Sequence, residues 1–148
     1  MVKFEKVNRI MEDIKLPERS TKNSAGYDFF AIEDTVFPAK KLTRAYTGVK
    51  CELRPYMVLI LANRSSNPSK KGLILANGVG VVDADYYSNP DNDGEMAFEF
   101  YNILDEDVVI KKGEKLGQGI IMTYLKTEND HMSNPTATRV GGFGSTGV

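Results

Sequence analysis

Met57-Val-Leu-Ile-Leu-Ala62 is the longest apolar run in the chain, and Asn63-Arg64-Ser65-Ser66 follows it directly. A run this short is far below the roughly 18 apolar residues a membrane span requires, but it is ordinary for a strand that ends in a polar loop. The same pattern recurs on either side of it. Short β-type runs lie near Tyr27 to Ile32, Leu42 to Leu53, Val79 to Val82, Met96 to Tyr101, Val108 to Ile110 and Leu116 to Leu125. Pro38, Arg54-Pro55, Ser65 to Gly72, Ser88 to Gly94 and Lys112-Gly113 separate them with turn chemistry. No stretch keeps apolar residues at i, i+3, i+4 and i+7 over three turns, so helix signals are weak. Many short strands with regular turns predict an all-β antiparallel barrel or sandwich.

The bulk properties narrow the function classes. At 148 residues one domain with a substantial core is expected. A 41 % hydrophobic and 26 % charged composition is that of a globular chain, not a disordered or fibrous one. The 19 basic and 20 acidic residues are interspersed without a basic block, which argues against a nucleic-acid polymer as ligand. A single nucleotide needs only one or two placed cations and backbone N–H groups, so it stays open. Cys51 is the only cysteine, which excludes an internal disulfide and suits a reducing compartment. Without a membrane-length run, a soluble, cytoplasmic protein is expected.

Three constellations carry chemistry. The tail Arg139-Val-Gly-Gly-Phe-Gly-Ser-Thr-Gly-Val148 combines glycines, hydroxyls, a guanidinium and a ring. Its composition fits a flexible end, and also a nucleotide clamp in which Phe143 stacks on a base while Gly144, Ser145, Thr146 and Arg139 meet phosphates. Its G-x-G-x-x-G at Gly142, Gly144 and Gly147 is not a dinucleotide fingerprint, because no helix can follow it. Arg64, Ser65 and Ser66 at a strand end read as a phosphate cradle or as a solvated loop. Asn77-Gly-Val-Gly-Val-Val-Asp83-Ala-Asp85-Tyr86 runs a strand into an acidic turn, where a carboxylate can orient and deprotonate a water. Asp28 sits in an apolar run and needs a partner if buried, and Gln118 is a polar residue in a strand-like run. Asn89 to Gly94 resembles the start of a calcium loop but lacks the required acid at Phe100, so a solvated loop is expected. His131 has no companion ligand and reads as a surface residue.

In this order, AGYD at 25 to 28, RSS at 64 to 66, NGVGVVDADY at 77 to 86, GEKLGQ at 113 to 118 and GGFGSTG at 141 to 147 resemble the motifs of homotrimeric dUTP diphosphatases. The resemblance spans Ala25 to Gly147. It implies a jelly-roll-like β-barrel with a flexible Gly-rich arm: a catalytic domain over residues 1 to 126 and a mobile arm over 127 to 148 that closes on the site. It implies a homotrimer with shared active sites, and Mg²⁺ held mainly by substrate phosphates with Asp28 reaching it through water. It implies hydrolysis of dUTP to dUMP and pyrophosphate, which keeps uracil out of DNA and supplies dUMP for thymidylate synthesis. Asp83 matches the acid that aims the water, and Tyr86 the ring on the sugar. Asn77, Gly80 and Val82 match the uracil reader. Arg64, Ser65, Ser66, Gln118 and Arg139 match phosphate contacts, and Phe143, Gly144, Ser145 and Thr146 the closing arm.

Three departures accompany the match. Arg139 precedes Phe143 by four residues where the family commonly has five, Lys115 stands where the family has arginine, and Tyr87 to Asp93 lengthens the turn after Tyr86. Lysine does not reproduce a bidentate arginine. The insertion is expected to be a surface loop or a contact for a protein partner. Two other readings remain: a dCTP deaminase-type enzyme of the same superfamily, and a dUTP-gated regulatory protein.

Overall fold

The structure is a computed structural model that describes residues 1–130 and 138–147, so the expectation for His131 lies outside the described residues. Among the described residues twelve strands form: β1 (Lys3–Lys6), β2 (Glu18–Arg19), β3 (Tyr27–Phe30), β4 (Thr35–Phe37), β5 (Leu42–Tyr46), β6 (Val49–Glu52), β7 (Met57–Ala62), β8 (Leu73–Leu75), β9 (Gly80–Asp83), β10 (Ala97–Asn102), β11 (Val108–Ile110) and β12 (Lys115–Thr123). All pairings are antiparallel. They give four sheets, ordered β1-β6, β5-β10-β8, β11-β4 and β2-β3-β12-β7-β9. The expected all-β, jelly-roll class is therefore present, with the strands hydrogen-bonded in four sheets rather than in one closed ring.

The sheets share one core. On β10 alternate side chains point inward, so Phe98, Phe100 and Asn102 are buried while their neighbours are partly exposed. Phe98 meets Phe29 edge-on at 5.5 Å, Phe100 meets Phe37 at 5.6 Å, and Phe29 meets Phe4 at 5.6 Å. This chain of tilted rings ties β1, β3, β4 and β10 together with the geometry aromatic quadrupoles favour. Gly117 leaves room for it: a Cβ there would come within 2.3 Å of the Phe98 ring. The ladder shifts register between Lys115 and Gly117, a bulge beside that close approach. Buried Asn102 is satisfied, donating to the carbonyls of Phe37 and Glu106 at 2.9 and 2.8 Å and accepting from the Leu104 N–H.

The expected run Leu42 to Leu53 is two strands. Gly48 turns the chain with φ of 70°, and the buried Thr47 hydroxyl donates to the Met96 carbonyl at 2.7 Å, so the chain changes sheets there. Strands β1, β2, β4 and β8 have no counterpart among the expected runs: two are rich in charge and two are three residues long. Asn67–Lys71 adds a short π-helical turn after the Arg64 loop. Cys51 is buried, which pushes its thiol up to about 12 and leaves it unreactive. Among the described residues, no helix is long and apolar enough to cross a membrane.

Candidate active site

β9 is the edge strand beside β7, so one side of its backbone has no sheet partner and is free to face a ligand. The turn that starts it is tight: Gly78 takes φ of 74°, its N–H donates to the Leu75 carbonyl, and the Val79 N–H donates to the Asn77 carbonyl. Beyond β9 a 3₁₀ turn, Ala84–Tyr86, swings Tyr86 inward until it is 8 % exposed. The result is a pocket of about 210 Å³. Leu61 and Met96 supply apolar surface, Asn77 and Gly80 to Asp83 form the hairpin wall, and Tyr86 closes one side.

The tail covers this pocket. Arg139 donates from Nη2 to Asp83 and from Nε to Asp85, each at 2.7 Å, and its side chain is only 15 % exposed. Phe143 joins the lining, and its ring lies 3.9 Å from the guanidinium of Arg44. Arg44 is itself held by Glu99, its cross-strand partner on β10, at 2.8 Å. Phe143 adopts φ of 51°, a strained choice for a ring-bearing residue and one that clusters at functional segments. Gly142 must be glycine for space, since a Cβ would sit 2.5 Å from the Tyr86 ring.

Asn77, Gly80, Val82, Asp83, Tyr86, Arg139 and Phe143 are thus brought together. Gly144, Ser145 and Thr146 continue past the pocket as exposed residues. Asp28, Arg64, Ser65, Ser66 and Gln118 form a separate group. Gln118 on β12 pairs with Asp28 on β3 and with Ala62 at the end of β7, and its Nε2 donates to the Asn63 carbonyl at 3.0 Å. Asp28 accepts from Lys115 at 2.6 Å and from Ser20. Burial pushes the Asp28 carboxyl up, but the bonds from Lys115 and Ser20 and the charge of Arg64 outweigh it and hold it below the usual range. Asp83 pairs with Val58 at the other end of β7 and on the other side of it. By strand spacings, roughly 20 Å separate Asp83 from Asp28 within one chain.

The insertion is not a solvated loop. Asn89 is 5 % exposed, Lys50 pairs with Asp93 at 2.8 Å, the Asn8 N–H donates to Asp93 at 2.7 Å, and Tyr87 donates to Glu5. The Asp91 N–H donates to the Val140 carbonyl at 3.2 Å, so the insertion also carries the tail. Sequence reasoning misses this, along with Arg44, Asn92, Glu95 and Met96. Arg44, Glu95 and Met96 act through partners distant in sequence and Asn92 through the folding of a short loop onto Tyr86, so only the opposite charges of Arg44 and Glu99 leave any signal.

The dUTPase family model matches residues 12–147. This chain belongs to the dUTPase family. A deoxyuridine 5'-triphosphate nucleotidohydrolase of Lactococcus lactis is 48 % identical over 135 residues, covering 91 % of this chain and 89 % of the relative. The dUTPase of Streptococcus mutans superposes with a TM-score of 0.82 at 42 % identity, over 84 % of this chain and 98 % of that one. A point mutant of the dUTPase from phage phi11 of S. aureus, whose structure shows the coordination of a structural Mg(II) ion, shares the fold at a TM-score of 0.71. It is 22 % identical over 86 % of this chain and 94 % of that one.

Proposed function

We propose that this chain hydrolyses dUTP to dUMP and pyrophosphate, with Asp83 aiming the attacking water. The observation that carries the reading is the pocket itself: an edge-strand wall, Asp83 at the rim, Tyr86 at the side and a tail able to close over it. The base enters against Asn77, Gly80 and Val82, where edge backbone groups can pair with uracil, and Phe143 stacks on its open face. The deoxyribose rests on Tyr86. The water oxygen bonds to the α-phosphorus, the bond from that phosphorus to the bridging oxygen breaks in line, and the water's proton passes toward Asp83. Arg139 exchanges its contacts with Asp83 and Asp85 for phosphate oxygens, which frees Asp83 at the moment the triphosphate arrives.

Arg64, Ser65, Ser66 and Gln118 hold the remaining phosphates, with Gly144, Ser145 and Thr146 from the arm. Because about 20 Å separates Asp28 from Asp83 in one chain, a complete site draws the phosphate-side residues from another copy. That supports a homotrimer with shared sites. Among the described residues, no group of three acids, histidines or cysteines is placed to hold a metal directly. The donor set therefore fits Mg²⁺ carried mainly by phosphate oxygens and water, with the single carboxylate of Asp28 as an outer contact. When bound, Mg²⁺ would neutralise charge on the phosphates. Residues 1 to 126 then act as the catalytic domain and 127 to 148 as the arm, and a cytoplasmic setting suits the buried free thiol of Cys51.

The test is incubation with Mg²⁺ and each of dUTP, dTTP, dCTP and UTP, scoring pyrophosphate and ammonia separately. Pyrophosphate from dUTP alone is expected. Ammonia from dCTP would turn the reading to a deaminase, and silence with dUTP would end it. Deleting residues 139 to 148 is expected to cripple turnover and leave oligomerisation intact.

A further inference from the structure

The Tyr86 hydroxyl is held by two groups, from Glu95 and Asn92, that do not line the nucleotide pocket. It donates to the Glu95 carbonyl at 2.7 Å and accepts from Asn92 Nδ2 at 2.8 Å. Glu95 is a fixed acceptor, since its own carboxylate is 5 % exposed and grips Arg9 at 2.5 Å and the Gly48 N–H at 2.9 Å. The orientation of the Asn92 amide is settled by its surroundings. Its Oδ1 accepts from the Gly94 N–H at 3.1 Å and from Asn89 Nδ2, which leaves only Nδ2 to face the phenol. Asn92 lies outside the lining of the nucleotide pocket, within the insertion.

With its proton given to Glu95 and the Asn92 amide on its oxygen, the Tyr86 hydroxyl is committed outside the lining, and what Tyr86 offers a sugar is chiefly its ring. A 2'-hydroxyl pressed against that ring loses water and gains no partner, a penalty that separates ribose from deoxyribose. We propose that Asn92 is a positioning residue for sugar discrimination, holding Tyr86 as an apolar wall that rejects ribonucleotides. This rests on the reading of the pocket as a deoxyuridine nucleotide site. Without Asn92 the phenol keeps one tether and the ring can tilt away from the sugar.

The experiment measures dUMP and UMP binding by calorimetry, and kcat/KM for dUTP and UTP with Mg²⁺, on the full chain. In Asn92→Ala the preference for the deoxy form is expected to fall about five-fold, the worth of one hydrogen bond. Tyr86→Phe removes this bond together with the one to the Glu95 carbonyl and should lower the preference by at least as much. Adding Asn92→Ala to Tyr86→Phe should then change it by less than about two-fold, because the two residues act through one contact. Asp93→Asn loosens the insertion without touching the phenol and should leave the preference in place. An unchanged ratio in Asn92→Ala, an equal loss in Asp93→Asn, or full additivity in the double variant would each overturn the inference. So would a wild-type protein that binds UMP as tightly as dUMP. If Asn92→Ala does not fold, Tyr86→Phe decides alone: a preference left intact overturns the inference. If the wild type cleaves neither triphosphate, the hydrolase reading fails while the monophosphate ratios still decide the role of Asn92.

Discussion

The hairpin pocket and the line from Asp28 to Arg64 are built from the same sheet but in opposite ways. The pocket is a cleft lined by Leu61 and Met96 and partly covered by a tail from its own chain. The line is a row of ion-paired and hydrogen-bonded polar groups across β3, β12 and the end of β7, headed by Asp28 at 14 % exposure. A pocket of mixed apolar and polar lining suits a base and a sugar, and a row of charged and polar groups suits phosphates. Under the proposed function the two would be halves of one nucleotide site, set about 20 Å apart within one chain.

The largest effect should come from the rim of the pocket. Asp83→Asn keeps the shape of the carboxylate but cannot take a proton, so kcat for dUTP should fall by about 10²–10⁴ while dUMP binding changes little. Residual turnover near the wild-type rate would move the base to another group. A cleaner cut between the two halves is to mix Asp83→Asn chains with Arg64→Ala chains, each inactive alone. If sites are shared in a cyclic trimer, random co-assembly restores about a quarter of the sites, since each needs one intact residue from each of two neighbours. No recovery from mixed assemblies would mean that each chain works alone and that the separation seen here is bridged by a rearrangement.

The two halves are also unequally legible. Strands β7 and β11 stand where their apolar runs predict them, because a short run bounded by turn residues admits few other structures. The pocket is readable because Asn77 to Tyr86 is contiguous, so its hairpin and its turn are local events. The boundary at Thr47 and Gly48 is hidden by a hydrogen bond to Met96, 49 residues away. Arg44 is hidden for the same reason, since its partner Phe143 lies in the tail and meets it only after β5 has paired with β10. Asn92 is close to Tyr86 in sequence, and what hides it is the fold-back of the insertion that brings its amide to the phenol. The tail's glycines read as flexibility, yet Gly142 is required because the chain passes against Tyr86 with no room for a side chain.

A milder stress should separate the halves by pH. The folded-state pKa of Asp28 is lowered, so its contribution to stability is fully present above the unfolded value, about pH 4, and is lost as pH falls through the folded value. Urea unfolding of wild type and Asp28→Asn should therefore differ most near neutrality, converge below about pH 4, and stay converged at lower pH. A gap that persists unchanged into strong acid would mean that the Lys115 and Ser20 contacts do not stabilise the charged carboxylate.

The smallest effect belongs to the seat of the tail. Arg44 presents its guanidinium to the Phe143 ring at 3.9 Å and is kept in place by Glu99, so the ring is offered to the pocket from a prepared position. A cation–π contact at an exposed site is worth about 0.5–1 kcal/mol. Arg44→Met keeps the aliphatic reach and removes the charge. It should raise KM for dUTP about two- to five-fold, because what is lost is the prior ordering of the arm and not a contact made only during the reaction. Met in place of Arg also leaves Glu99 unpaired, so Arg44→Met with Glu99→Gln is the proper control for local charge. If that pair restores KM, the effect was electrostatic repulsion of the nucleotide. If KM stays raised with kcat unchanged, Phe143 depends on its seat, and the cover over the pocket is in part held in place by β5.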